Sequence, residues 1–235
     1  MDVFFLVTLA VTPGIAIAIF IYIRDKHEPE PIKLLIVSFF LGALSLALNL
    51  AIALPLESFL ETDEQDLTAQ AIHAFAVVAF LEEFSKFIFI RWILYTNKNF
   101  NEPLDGIVYA VMVGMGFATT ENLLYAFGGG GGVAIVRMFS TIPAHALFAV
   151  LMGYFLGIAK FTHKREKLFS ILALLVAALF HGVYDYFLFI SFMPGMWVGS
   201  AIAFIIALGL SAKAIQLHTN ASPFKENSEG KNQHH

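Results

Sequence analysis

Seven ionisable side chains stand inside otherwise apolar stretches: Glu82, Glu83, Lys86, Glu121, His145, His181 and Asp185, with Asn49, Asn122 and Arg137 as polar companions. Carboxylates and imidazoles take protons from water, orient one another and ligate metals. Lys86 is i+4 from Glu82 and i+3 from Glu83, so at ~100° per residue the three form one wedge on a helix. One carboxylate can pair with the lysine and leave the other free to react. Read structurally, the wedge is a buried ion pair that fixes packing, but a second adjacent carboxylate is not needed for that. His181 and Asp185 are i and i+4, which lets the acid fix the tautomer of the imidazole and raise its basicity. Pro143 frees the carbonyl of Phe139 and predicts a kink just before His145.

The elements that must hold these groups are membrane helices. Of 235 residues, 58% are hydrophobic and only 14% charged, against roughly 25% charged in an ordinary soluble domain. The net charge of −4 leaves no basic footprint for nucleic acid. The absence of cysteine excludes disulfides, thiolate metal sites and a cysteine nucleophile. Runs of ~20 apolar residues are the mark of a membrane span. Seven such runs occur, at about 3–23, 32–54, 70–95, 104–127, 133–159, 168–190 and 195–217. The sequence therefore predicts an all-α, polytopic bundle forming one domain over 1–219, then a disordered polar tail over 220–235. Asp2 stands where a signal peptide would be basic.

Lysine and arginine collect in alternate connections: Arg24, Lys26 and Lys33; Arg91 and Lys98; Lys160, Lys164, Arg165 and Lys167; and the tail. The other connections hold Glu57, Glu61, Asp63, Glu64 and Asp66, then the glycine run Gly128 to Gly132, then Ser191 to Gly195. The bias predicts an outside N-terminus and a cytoplasmic C-terminus in a cell-membrane protein. The five glycines predict a flexible outer turn that breaks the helix. Ala110, Gly114 and Ala118 recur every four residues and let a neighbour approach closely, with Glu121 continuing that face into the bundle. His73 and His218, at span ends, read as interfacial.

A charge at a helix centre costs ~2.5–3.5 kcal/mol on insertion scales, so a cluster on four consecutive spans predicts a functional site. His-Glu-x-x-His, Gly-x-Ser-x-Gly and Gly-x-Gly-x-x-Gly are all missing, which removes the usual signatures of zincins, serine hydrolases and nucleotide folds. Glu82-Glu83-Phe-Ser-Lys86, Phe117-Ala-Thr-Thr-Glu121-Asn122, His145-Ala-Leu-Phe148 and His181-Gly-Val-Tyr-Asp185 resemble, in order, the motifs of the PrsW family of intramembrane proteases. That family is distantly related to the CAAX prenyl endopeptidases. The resemblance implies cleavage of membrane-anchored proteins such as anti-sigma factors. It also implies that one carboxylate of Glu82–Glu83, with His145, activates the attacking water. His181 and Asp185 fall where the relatives place a histidine and an asparagine that steady the oxyanion. An ionised aspartate cannot donate to an oxyanion, so Asp185 is expected to orient His181. Lys86, Glu121 and Asn122 are expected as supporting residues.

Metal dependence stays open on the sequence. Glu83, Glu121, His145, His181 and Asp185 are oxygen and nitrogen donors suited to zinc, whereas the relatives suggest a glutamate-activated water without an obligatory cofactor. The rival function is a proton- or ion-coupled transporter using the same cluster, against which no internal repeat is visible. Proteolysis further predicts a water-accessible cavity that opens outward or laterally between spans, with Thr119 and Ala146 beside it. The partners expected are a membrane-anchored substrate and the bilayer, and no nucleic acid.

Overall fold

The computed structural model describes residues 2–60, 63 and 65–225. Glu61 and Glu64 of the acidic connection, and residues 226–235 of the tail, lie outside the described residues. Helices α1 (Val3–Arg24), α2 (Ile32–Phe59), α5 (Pro103–Phe139), α6 (Thr141–Phe161), α7 (Glu166–Phe189) and α8 (Trp197–Asn220) are each long and apolar enough to cross a membrane. Between α2 and α5 the chain is helical from 67 to 94, as α3 (Leu67–Ile72), a π-helical segment (His73–Ala79), α4 (Phe80–Phe89) and a second π segment (Ile90–Leu94). The protein is thus an all-helical, multi-pass bundle. π segments concentrate at functional sites, and here they flank the ten residues that carry Glu82, Glu83 and Lys86.

The central element is α5, buried without interruption from Leu104 to Thr119. It is packed by α1, α2 and α6. Small residues permit this. A Cβ at Gly116 would lie 1.8 Å from the Phe39 carbonyl on α2, and one at Gly114 would lie 2.8 Å from Ala149 on α6. The Ala110–Gly114–Ala118 face therefore meets the helix that carries His145.

The glycine run corrects the expectation of an unwound turn. Gly128 and Gly129 continue the helix, and only Gly130, at φ 76° and ψ −173°, leaves helical geometry. Glycine weakens a helix by ~1 kcal/mol relative to alanine but does not forbid one. The chain reverses at Gly130: residues 121 and 137 would be ~24 Å apart on a straight helix, yet Arg137 reaches the Glu121 carboxylate at 2.6 Å. A second break falls at Ser140 (φ −116°, ψ −74°), ahead of Pro143 in the first turn of α6. His218 is also corrected. It is buried rather than interfacial, stacks on Tyr154 and hydrogen-bonds the Pro103 carbonyl through Nδ1 at 2.8 Å.

At the end of the bundle where α1 joins α2, four carboxyls converge out of water: Asp25, Glu30, Glu102 and Asp105. Glu102 and Asp105 form a capping box that starts α5 ahead of Pro103. Tyr109 donates to Glu30, and Ser222 donates to Glu102. Burial, reinforced by the Glu102 charge, pushes Asp25 up to about 7. Burial also pushes Glu30 up to about 7, against the opposing hydrogen bonds of Tyr109 and Asp105. Glu28 faces both groups as a further acid, and His27 faces Glu102. Carboxyls that hold their protons more tightly folded than unfolded add stability at low pH. That stability is lost as pH rises from ~4 to about 7. Melting in detergent across this window is expected to show a falling midpoint, and Asp25→Asn with Glu30→Gln to make the fall smaller, with Glu102 still contributing to it. A midpoint that climbs with pH would contradict this account.

Candidate functional site

The wedge on α4 forms as the helical spacing requires. Lys86 Nζ lies 2.7 Å from Glu83 Oε1 and 3.6 Å from Glu82 Oε2. The ammonium also lies 3.2 Å from His145 Nδ1 on α6 and 4.1 Å from the centre of the Phe117 ring on α5. Because an ammonium only donates, His145 Nδ1 must accept. Its Nε2 then carries the proton and donates to Glu121 at 3.2 Å. The same Glu121 oxygen, Oε2, lies 2.6 Å from Arg137. The reversal at Gly130 thus folds the last part of α5 back so that its Arg137 stands beside Glu121.

His181 on α7 completes the cluster. Its Nδ1 lies 2.9 Å from Glu83 Oε1 and its Nε2 lies 3.1 Å from Asp185 Oδ2. With a carboxylate on each nitrogen, both contacts are hydrogen bonds only if the ring carries two protons. Phe148 stacks on His181, with centroids 4.9 Å apart, and the two histidine rings meet edge to face at 5.0 Å. Glu83, Lys86, His145 and His181 are each at most 2% exposed. Donors meet acceptors from Glu121 through His145, Lys86 and Glu83 to His181 and Asp185, and Arg137 adds its charge beside Glu121 as an ion pair, the arrangement a low-dielectric interior demands of buried charge.

Among the carboxylates of the cluster, Glu82 is the exception. Its Oε2 is buried without a hydrogen-bond partner, and the residue lines a cavity of about 390 Å³ between α2, the π segment before α4, and α5. Asn49, Glu57, Glu121 and Tyr125 share that lining. Neither Thr119 nor Ala146 borders it. Thr119 instead meets α1 at Gly14, and Ala146 lines a different cavity. Asn122 does not join the cluster either. It is fully buried with neither amide atom partnered, one turn before Ala126, which packs on Ala10 and Ala134.

The donor atoms closest to a metal-holding arrangement belong to Glu82, His145 and His181, all within 4.8 Å of one another. This group contains Glu82, which the sequence did not mark as a ligand. It omits Glu83, Glu121 and Asp185, whose oxygens are taken by Lys86 and His181, by Arg137 and His145, and by His181 respectively. Two imidazoles and a carboxylate with a free buried oxygen fit zinc chemically. The Lys86 ammonium, however, already stands beside two of the three donors.

A bundle that buries paired glutamates, two histidines and an aspartate among its spanning helices, beside a cavity roomy and polar enough for water, has the makings of a hydrolase working inside the membrane. Residues 30–211 match the model of the PrsW family intramembrane metalloproteases. The chain belongs to the PrsW family and is an intramembrane protease. It is 34% identical over 209 residues to Protease PrsW of Geobacillus kaustophilus, covering 89% of each chain. To Protease PrsW of Bacillus subtilis it is 35% identical over 186 residues, 79% of this chain and 83% of that one. To that of Oceanobacillus iheyensis it is 36% identical over 206 residues, 86% and 93%. No solved structure matches the chain. Membership of this family favours proteolysis over transport as the work of the cluster.

Proposed function

We propose that the protein hydrolyses peptide bonds of membrane-anchored proteins, anti-sigma factors among them by family resemblance, with Glu82 as the general base. The observation that carries this reading is that Glu82, whose buried Oε2 has no hydrogen-bond partner, is a lining residue of the cavity. In this reading Glu82 takes a proton from a water in the cavity, and the hydroxide adds to the scissile carbonyl. The developing oxyanion is stabilised by the two nearest cationic groups, Lys86 Nζ and His181 Nε2, which lie 3.6 and 4.0 Å from Glu82 Oε2. Glu82 then returns its proton to the leaving amine as the tetrahedral intermediate collapses to acid and amine. Glu83 holds Lys86 and His181 in place, Asp185 orients His181, and Glu121 fixes the tautomer of His145. A zinc held by Glu82, His145 and His181 would instead supply Lewis-acid polarisation of the carbonyl and a more acidic water.

Placement of the basic residues supports an outside N-terminus and a cytoplasmic C-terminus. In that orientation the cavity opens at Glu57 toward the outside, which gives water and an extended substrate segment one entrance. Purified protein in liposomes with a single-span substrate is expected to yield two fragments whose new termini fall within or beside the span. Solute-driven proton flux with no fragments would overturn the reading.

A further inference from the structure

We propose that the groove between α1, α6 and α8 binds one membrane phospholipid with an anionic headgroup. The groove encloses about 560 Å³, walled by apolar side chains such as Phe20 and Ile21 on α1, Leu147 on α6 and Leu208 on α8. Along α8 its lining runs from Phe204 to Asn220, ~24 Å at 1.5 Å per residue. That length covers one leaflet of a ~30 Å hydrocarbon core and reaches the headgroups. Apolar walls and this depth suit an acyl chain.

Charge at the mouth selects the headgroup. The connection after α1 reads Arg24-Asp25-Lys26-His27-Glu28-Pro29-Glu30, with more acids than lysines and arginines. The fold separates them. Asp25 and Glu30 turn inward, each 2% exposed, into the carboxyl cluster with Glu102 and Asp105. Arg24 and Lys26 are exposed and line the groove, and neither has an ion-pair partner among the described residues. Two unpaired cations at the end of an apolar slot complement a phosphodiester carrying net negative charge, with Gln216 and Asn220 beside them as neutral hydrogen-bonding groups. The deep wall of the slot includes Pro143, Ala146 and Leu147. An acyl chain there packs on the back of the α6 turn that presents His145.

Full-length protein stripped of lipid in neutral detergent, then mixed with phosphatidylglycerol or phosphatidylcholine in mixed micelles, tests this by native mass spectrometry. One phosphatidylglycerol per chain is expected, preferred over phosphatidylcholine by ~10–30-fold for two basic contacts. Arg24→Gln with Lys26→Gln should reduce the preference to within ~2-fold while melting is unchanged. Ala146→Phe, which fills the slot, should abolish retention of either lipid. Should that variant misfold, a photo-crosslinking residue at Ala212 replaces it and should capture lipid. Equal binding of the two lipids, undiminished preference in the double variant, or a crosslink to a protein chain instead of lipid would each overturn the proposal.

Discussion

Replacing Glu82 by glutamine is expected to lower the cleavage rate by ~10²–10⁴-fold, the usual contribution of a positioned general base, with the melting temperature unchanged. The amide keeps the shape of the side chain, and the carboxylate oxygen it replaces has no hydrogen-bond partner to lose. Glu83→Gln should behave differently although the two positions are adjacent. Glu83 Oε1 sits between Lys86 and His181. Removing one partner of a buried pair costs ~3–5 kcal/mol, because the remaining charge is left uncompensated. Glu83→Gln is therefore expected to lose both activity and stability. Rates from single-turnover cleavage, set against melting of the same preparations, separate the two. Glu82→Gln within ~2-fold of the parent rate would remove Glu82 from the base role, since even a weak general base contributes more.

The second large effect concerns what cation the site uses. Lys86 occupies the space between the carboxylates and His145, so active protein is expected to retain full cleavage after exhaustive chelation. Metal analysis should find far less than one zinc per chain. Lys86→Met, which keeps the length of the side chain but not its charge, should then destabilise the protein by ~3–5 kcal/mol and abolish cleavage. The opposite outcome is equally definite. About one zinc per chain, lost together with activity in His145→Ala and in His181→Ala, would make Glu82, His145 and His181 ligands and assign Lys86 to the apo form alone.

The two predictions rest on different kinds of information. That Lys86 reaches both glutamates follows from i+3 and i+4 spacing, and the His181–Asp185 contact from i+4. These are local facts of helical geometry that hold wherever the helix goes. The helices themselves were legible for the same reason. A backbone in hydrocarbon must satisfy its own hydrogen bonds, so a ~20-residue apolar run has little choice but helix. Pro143 likewise marked the break that the structure places at Ser140.

The carboxyl cluster near α1 was not marked, although Glu28-Pro29-Glu30 and Glu102-Pro103 both carry its residues. Acids near a helix start read as ordinary caps until burial is known. Gly130 shows the limit from the other side. Five glycines marked a reversal, but which of them turns depends on how the flanking segments pack, not on residue type.

By itself, then, the sequence determined the helical character of the apolar runs, the residue types in the cluster, and the i+3 and i+4 contacts within α4 and α7, because these depend on bonds a few residues long. Only the tertiary structure decided which carboxylate is spoken for and which is left free. Glu82 and Glu83 are chemically identical neighbours ~100° apart on α4. The difference between them comes from His181, 98 residues later, which takes Glu83 Oε1 at 2.9 Å, and from a cavity between α2 and α5 that meets Glu82. Pairing between distant helices depends on the packing of small residues such as Gly114 and Gly116 around α5. That packing is a property of the assembled bundle.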